Sequence, residues 1–200
     1  MRIHDPTSSV EQQAEALAAS VSDIPFSVIY TSDLKRALST AKSVHSTSSR
    51  SIPLHITSSL REQNFGVAEG TKIVKRQNEM TLSAHYARGL FPILYTRSDK
   101  FPEGESLKEA EIRAKAFIED VLTMWVNKEE DEDTIVGVVS HGIFIGELVA
   151  ALLRRGDGQM DHKNLRGMKN TAWTQVEVFF EPVLTVWNLH FLFMPDANDH

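Results

Sequence analysis

The stretch that decides the fold is T-I-V-G-V-V-S-H-G, residues 134–142. Residues 135–139 are apolar or glycine and lead into a polar Ser-His-Gly turn. Apolar residues then recur at helical spacing, at Ile143, Ile145, Leu148, Val149 and Leu152. This pattern predicts a buried strand followed directly by a helix, with His141 at the junction. Because the carboxyl end of a strand there meets the positive end of a helix, the junction suits an anion, and phosphate in particular.

A second junction of the same kind precedes it in the chain. Residues 26–30, F-S-V-I-Y, predict a short strand, and the following Thr31, Ser32 and Asp33 are good N-cap candidates for the next helix. That helix has Arg36 near its first turn, where a positive charge opposes the helix dipole. This small electrostatic penalty favours an anion-binding role for Arg36 over that of a plain surface arginine.

The remaining patterns place these junctions in a longer series of elements. Residues 60–70 have no regular period, and their glycines and carboxylates predict a structured loop. Ser106 and Glu109 form a capping-box pattern at the start of a long amphipathic helix. The other predicted elements are a helix over 10–21, an edge strand at 52–56, a helical cover at 71–101, and a hairpin of strands at 170–180 and 183–193.

Composition restricts the class of protein. The 200 residues are 42% hydrophobic, enough for one globular domain, predicted over residues 1–194 with a frayed tail at 195–200. The 21 basic and 27 acidic residues are scattered and give a net charge of −6, so nucleic acid is not an expected partner. Cysteine is absent, and no apolar run approaches the roughly 18 residues of a membrane span. A cytoplasmic protein without disulfides or a membrane segment is therefore expected.

Four motifs, in this order, carry a family resemblance. They are T-S-D-L-K-R-A at 31–37, L-R-E-Q-N-F-G-V-A-E-G at 60–70, P-E-G-E-S at 102–106 and V-V-S-H-G at 138–142. Together they resemble the histidine phosphatase superfamily, the phosphoglycerate-mutase-like proteins that include the fructose-2,6-bisphosphatase-like phosphatases. The second motif is more similar to the phosphatase branches than to the glycolytic mutases. The resemblance implies an α/β fold, a three-layer α/β/α sandwich with a mostly parallel sheet.

The resemblance also implies a mechanism. A neutral histidine of an Arg-His-Gly motif attacks phosphorus and forms a phosphohistidine, which water hydrolyses. A second histidine and arginines hold the phosphoryl oxygens, while a carboxylic acid protonates the leaving oxygen. On this pattern His141 is the second histidine, Arg36 a phosphate-binding arginine and Glu62 the general acid. Asn170 falls where the family often has a residue near the phosphate pocket, whereas Glu69 is predicted to cap or to pair.

The chain departs from the family pattern in one motif. No Arg-His-Gly occurs in the 200 residues, and R-I-H-D-P at 2–6 resembles the segment directly after that motif in the family. Arg2-Ile3-His4 is a poor substitute, because no apolar strand precedes it and no glycine comes after it. The first strand, which is central in this fold, and the nucleophile are therefore expected upstream of Met1. We also expect its neighbours to have unpaired backbone groups and the chain to be less stable than a full-length relative.

Two functions remain open on the sequence alone. The first is a phosphomonoesterase acting on small phosphorylated metabolites such as sugar phosphates and bisphosphates, because the acid, arginine and second-histidine positions are filled. The second is a non-catalytic protein that keeps a phosphate-binding pocket, because the covalent route is closed without the nucleophile. No cofactor is implied, and no metal is expected. Five further histidines lack metal-ligand spacing: His45, His55, His85, His162 and His190.

Overall fold

A computed structural model describes residues 6–126, 134–155, 173–180 and 185–194 of the chain. The chain divides into two compact units. Unit 1 comprises residues 1–62 and 114–200, and unit 2 comprises residues 63–113. Several predictions lie outside the described residues, namely those for residues 2–4, for Asn170 and for the tail at 195–200.

Unit 1 is built around a five-stranded sheet in the order β2-β1-β5-β7-β6. Every neighbouring pair is parallel except β6 and β7, which are antiparallel. The mostly parallel sheet predicted from the family resemblance is therefore confirmed. The strands are β1 (Val28–Ser32), β2 (Leu54–Thr57), β5 (Ile135–His141), β6 (Trp173–Phe180) and β7 (Thr185–Met194).

Helices cover both faces of this sheet. They are α1 (Pro6–Ser20), α2 (Lys35–Thr47), the end of α4 (Leu107–Phe117), a π-turn (Ile118–Leu122), α5 (Thr123–Val126) and α6 (Gly142–Leu153). Because alternate residues of a strand point to opposite faces, β1 and β5 each contribute to two apolar cores. Val28 and Val138 pack with residues of α4, the π-turn and α6. Ile29 and Val139 pack with residues of α1 and α2. The three-layer α/β/α arrangement is therefore confirmed.

Strand β5 has a partner on each side. It pairs with β1 on one edge and, over all of Ile135–His141, with residues 188–194 of β7 on the other. The sequence-based expectation that a gap in the sheet would leave backbone groups of this strand unpaired is therefore wrong. The physical reason is that β7 runs parallel to β5 and supplies the missing hydrogen-bond partners, while β6 completes the predicted hairpin beyond it.

Helix α2 begins later than its sequence predicts. Its N-cap is Leu34, which has no side-chain cap, rather than Thr31, Ser32 or Asp33. Ser32 belongs to β1, and its hydroxyl oxygen instead accepts a hydrogen bond from the Leu34 amide at 3.3 Å. Thr31 and Ser32 thus belong to the end of the strand and Asp33 follows it. Ser32 and Asp33 make the contacts described below, whereas the Thr31 hydroxyl donates to the Ser32 carbonyl.

Unit 2 contains little regular structure. The predicted helical cover at 71–101 holds one five-residue helix, α3 (Leu82–Tyr86), and a parallel pair of two-residue strands, β3 (Ile73–Val74) and β4 (Phe91–Pro92). The helical prediction for this segment was wrong, because these short elements have no continuous apolar stripe. The predicted structured loop is confirmed. The predicted loop, residues 60–70, contains a 3₁₀ turn at Gly66–Ala68, and a second 3₁₀ turn in unit 1, Ser58–Leu60, leads into it.

The capping box at the start of α4 forms as predicted. The Glu109 carboxylate accepts hydrogen bonds from the Ser106 amide at 2.8 Å and from the Ser106 hydroxyl at 2.9 Å, and the Glu109 amide donates to the Ser106 hydroxyl at 3.1 Å. These bonds satisfy donors at the beginning of α4 that have no partner within the helix. Among the described residues, no helix is both long and apolar enough to span a bilayer.

Candidate active site

The predicted site lies in unit 1, where β1 and β5 end side by side. Ser32 is the last residue of β1 and His141 the last of β5, and both side chains are buried. The two strands are parallel neighbours, with Thr31 opposite Val139, so their carboxyl ends lie at the same edge of the sheet. Helix α6 begins directly after β5, and α2 begins at Lys35, with two residues between it and the end of β1. Two helix amino ends therefore flank one buried histidine.

The imidazole of His141 is held by hydrogen bonds at both nitrogens. The Nε of Arg36 donates to Nδ1 at 3.0 Å, and Nε2 lies 2.9 Å from the hydroxyl oxygen of Ser32. A guanidinium group can only donate, so Nδ1 acts as the acceptor and the ring proton is on Nε2, where it donates to Ser32. This arrangement fixes a neutral imidazole in one tautomer and orientation.

Arg36 lies in the first turn of α2 and is partly buried. This is the position that the sequence predicts. A cation at the positive end of a helix is disfavoured unless an anion or a polar partner compensates. In the structure that partner is the acceptor nitrogen of His141. The structure thus brings together two of the predicted site residues from positions that are far apart in the sequence.

Glu62, the third predicted residue, lies at the amino end of α6. One carboxylate oxygen accepts from the Ile143 amide at 3.3 Å and the other from the Phe144 amide at 3.1 Å. His141 is the N-cap residue of α6, and its own side chain makes no capping hydrogen bond. The carboxylate of Glu62 therefore fulfils the capping role, and it does so where an anion is stabilised by the helix dipole.

Two contacts fasten the loop that carries Glu62. The buried Ser140 hydroxyl donates to the Leu60 carbonyl at 2.7 Å. The Arg61 guanidinium makes a two-pronged ion pair with Asp33, from Nε to Oδ1 at 2.7 Å and from Nη2 to Oδ2 at 2.6 Å. The hydrogen bond from Arg61 lowers the pKa of the Asp33 carboxyl below its ordinary value. The ends of β1 and β5 are thus both tied to the loop at residues 60–62.

Sequence reasoning missed Ser32, Asp33 and Arg61. Ser32 and Asp33 were predicted as helix caps, which is a local role, whereas the structure gives them partners distant in the chain. The available signal was their position directly after a strand, the same signal that identified His141. Asn170, the fourth predicted residue, lies outside the described residues.

Two further carboxylates from the family motifs, Glu69 and Glu105, have structural partners within unit 2. Glu69 accepts from the Phe65 amide at 2.8 Å, which confirms the prediction that it caps or pairs. Glu105 makes a two-pronged ion pair with Arg113, at 3.0 and 2.6 Å. Within the described ranges, no group of three or more histidine, aspartate or glutamate side chains is arranged to hold a metal ion.

The assembled groups are suited to recognising a phosphoryl group. Arginine binds phosphate oxygens through several N–H donors, and a helix amino end adds backbone donors and a favourable dipole. The sequence model of the histidine phosphatase superfamily (branch 1) matches residues 7–189. The chain belongs to the histidine phosphatase superfamily. This membership confirms the resemblance based on the four motifs.

Two relatives of this chain are named as probable phosphatases. The chain is 26% identical over 123 residues to a probable fructose-2,6-bisphosphatase TIGAR A of Danio rerio, covering 60% of this chain and 44% of the relative. It is 30% identical over 143 residues to a probable phosphatase of Schizosaccharomyces pombe, covering 72% and 45%. The chain thus spans less than half the length of these two curated relatives.

The fold is similar to that of a solved phosphatase. The complex of a mycobacterial glucosyl-3-phosphoglycerate phosphatase with inorganic phosphate superposes with a TM-score of 0.62. The match covers 94% of this chain and 86% of that one at 23% identity. At this identity the comparison establishes the common fold.

Proposed function

We propose that the chain provides the phosphate-recognition machinery of a phosphomonoesterase acting on small phosphorylated metabolites, such as sugar phosphates and bisphosphates. The observation that carries the proposal is the contact between Arg36 and His141 beside the amino end of α6. It supports the proposal because it combines a cation, an oriented imidazole and helix N–H groups at one edge of the sheet, as phosphoryl transfer requires.

In the proposed reaction, each group of this chain has one role. Arg36 and His141 hold the phosphoryl oxygens as charge develops on them. On leaving the α6 amides, the Glu62 carboxylate takes a proton from water, and it gives this proton to the ester oxygen as the P–O bond breaks. The bond to phosphorus is formed by a histidine of an Arg-His-Gly motif, which is not among these 200 residues. Water then attacks phosphorus while Glu62 accepts its proton, and the N–P bond of the phosphohistidine breaks to release phosphate and the histidine.

A second function, phosphate-ester binding without catalysis, is favoured by one specific observation. The 200 residues contain no Arg-His-Gly to supply the attacking nitrogen, although Arg36 and His141 are in place. On this proposal the chain recognises a phosphorylated small molecule and releases it unchanged. Both candidates share the same pocket, so one set of variants tests the pocket and an activity assay distinguishes the two functions.

The test of the pocket is the affinity of the chain for inorganic phosphate, measured by isothermal titration calorimetry. We expect Arg36→Gln and His141→Ala each to weaken binding about tenfold or more, since a hydrogen bond to a charged group contributes about 1.5–3 kcal/mol. Lys35→Gln is the matched control, because Lys35 is an exposed cation in the same turn of α2. Equal affinities for the wild type and for Arg36→Gln would reject the pocket.

The test of activity is hydrolysis of p-nitrophenyl phosphate and of sugar bisphosphates by the 200-residue chain. Turnover that is lost in His141→Ala supports the phosphomonoesterase. Phosphate binding without turnover, even at high protein concentration, is expected of both functions, because the 200 residues lack the Arg-His-Gly histidine. In that case, turnover by a chain extended with a strand that ends in Arg-His-Gly supports the phosphomonoesterase, and its continued absence supports the binding function. Turnover that is unchanged in His141→Ala would contradict both, because it would have to arise elsewhere.

A further inference from the structure

Asp33 and Arg61 connect two segments that border the site. Asp33 follows the end of β1, directly after Ser32, whose hydroxyl contacts His141. Arg61 directly precedes Glu62, which lies on the α6 amides. The pair has the parallel, two-pronged geometry that makes an arginine–carboxylate contact directional as well as attractive. It therefore fixes the distance between the strand end and the residue before Glu62.

The backbone before Glu62 is held on two sides. The carbonyl of Leu60 accepts from the buried Ser140 hydroxyl, and the side chain of Arg61 is held by Asp33. These contacts limit how far the backbone at Glu62 can move away from α6. Without the Asp33 contact, the nearest remaining contact is at Leu60, which is one residue further from Glu62 than Arg61 is. The Glu62 carboxylate is then freer to leave the helix.

The place that Glu62 holds is one that a phosphoryl group would use. Its carboxylate accepts from the amides of Ile143 and Phe144 in the first turn of α6, and the same N–H groups are the natural donors for a phosphate at a helix amino end. The two anions compete for these donors. How firmly Glu62 is held therefore affects how strongly phosphate binds.

We propose that the Asp33–Arg61 ion pair is a positioning pair that holds Glu62 on the first-turn amides of α6 and thereby weakens the binding of a phosphoryl group there. The effect on the binding of a phosphoryl group rests on the proposed function, whereas the positioning of Glu62 does not. The pair acts through Glu62 and does not itself contact the phosphoryl group. A phosphoryl group gains the α6 amides only when Glu62 leaves them, so phosphate binding and the release of Glu62 occur together. The ion pair shifts this equilibrium toward the state in which Glu62 is bound to the amides.

The first test is the ¹H–¹⁵N spectrum of the full chain, read at the amides of Ile143 and Phe144. Glu62→Gln defines the signal positions of these amides when the carboxylate is absent. We expect Asp33→Asn and Arg61→Gln to move both signals toward those positions. The double variant in which Asp33 and Arg61 exchange places should return them toward the wild type. The rest of each spectrum reports whether the variant is folded.

The matched control is Glu119→Gln. Glu119 pairs with Arg155 on the surface of unit 1, and Arg155 follows the carboxyl end of α6. This variant also removes an arginine–carboxylate pair that involves the α6 region, but at the other end of the helix. We expect it to leave the Ile143 and Phe144 signals unchanged. Folded Asp33→Asn and Arg61→Gln variants that also leave them unchanged would overturn the inference.

The second test is phosphate affinity, where Arg61→Gln is the decisive variant. Loss of a cation beside the site would weaken anion binding by simple electrostatics, whereas release of Glu62 strengthens it. We expect Arg61→Gln to bind inorganic phosphate about threefold more tightly, in line with the modest strength of charge interactions at helix ends. Unchanged or weaker binding in this variant would overturn the proposed effect on phosphate.

The two proposals fail in different ways. The amide signals test the positioning role without any ligand. If those signals move but neither the wild type nor any variant binds phosphate, the positioning role is supported and the proposed function is rejected. If phosphate binds and depends on Arg36 but the amide signals do not move, the proposed function is supported and the positioning role is rejected.

Discussion

Different interactions stabilise the interior of each of the two units. In unit 1, the sheet has five strands of four to ten residues, and β1 and β5 present apolar side chains to both of its faces, where two buried clusters form. In unit 2, the strands have two residues and α3 has five, and the order comes both from aromatic side chains that pack around Phe101 and from side chains that bond to the backbone. Gln63, for example, donates to the Glu105 carbonyl at 2.8 Å. Apolar packing on the two faces of the sheet should therefore dominate the stability of unit 1, whereas the stability of unit 2 should depend on backbone geometry as well as on packing.

Unit 2 also contains a buried histidine, and its tautomer differs from that of His141. The ring of His85 is fully buried, accepts from the Gln77 amide at Nε2 and lies 2.8 Å from the Thr81 carbonyl at Nδ1. Because the backbone amide donates to Nε2, the ring proton is on Nδ1, where it donates to the carbonyl. His141 in unit 1 carries its proton on the other nitrogen. The partners of each ring, rather than its burial, decide the tautomer.

The largest expected effect is the loss of apolar packing in unit 1. Phe117 is 2% exposed and packs edge-on against Tyr30, with ring centroids 5.8 Å apart. We expect Phe117→Ala to lower the free energy of unfolding by about 3–5 kcal/mol, because truncation leaves a cavity. Urea unfolding measures this loss. Ile56→Ala, at a side chain that is 52% exposed in β2, should cost less than about 1 kcal/mol, and equal losses would contradict the packing argument.

The next effect tests backbone geometry in unit 2. Gly66 has a φ of 56°, and an added Cβ would lie 2.1 Å from the Pro102 carbonyl oxygen. We expect Gly66→Ala to cost about 2–5 kcal/mol, from the left-handed conformation and from the displaced backbone. Gly70 has a φ of 68° but open space at its Cβ, so Gly70→Ala should cost only about 1–2 kcal/mol. Similar unfolding midpoints for the two variants would show that the close approach has no energetic consequence.

The smallest effect is the pH dependence of the capping box in unit 2. Hydrogen bonds from Lys100 and Ser106 lower the pKa of the Glu109 carboxyl from 4.5 to about 2. Since the folded state favours the charged form, its stabilising contribution is present above pH 4.5 and is lost as the pH falls toward 2. We expect Glu109→Gln to lose less stability than the wild type over this range, as measured by unfolding at a series of pH values. Glu79→Gln, at an exposed carboxylate, is the control and should follow the wild type.

Sequence patterns predicted where two of the candidate site residues lie in the fold. His141 and Arg36 were predicted because each follows a recognisable strand, and a buried parallel strand places its last residue at a common edge. Glu62 was assigned from the family resemblance and does lie at this edge. Its contact with the α6 amides was not predicted, because no local pattern links residue 62 to residues 143 and 144.

The segment 71–101 shows where sequence patterns fail to predict the structure. Its predicted helix rested on a mixed composition without a regular apolar period, and its structure depends on contacts such as the packing of Phe91 and Tyr86 against Phe101. Such contacts join residues that are 10 to 15 positions apart, beyond the range of helical or strand periodicity. The capping box was predictable in the same unit, because both of its residues lie within one helical turn.

The sequence by itself determined the family, the main strands and helices of unit 1, and the placement of His141 at a strand end, because each depends on a local pattern or an ordered set of motifs. The tertiary structure alone decided that β7 pairs with β5, and that Asp33 and Arg61 meet beside Glu62. Those features depend on residues distant in the chain that come together only when the sheet forms.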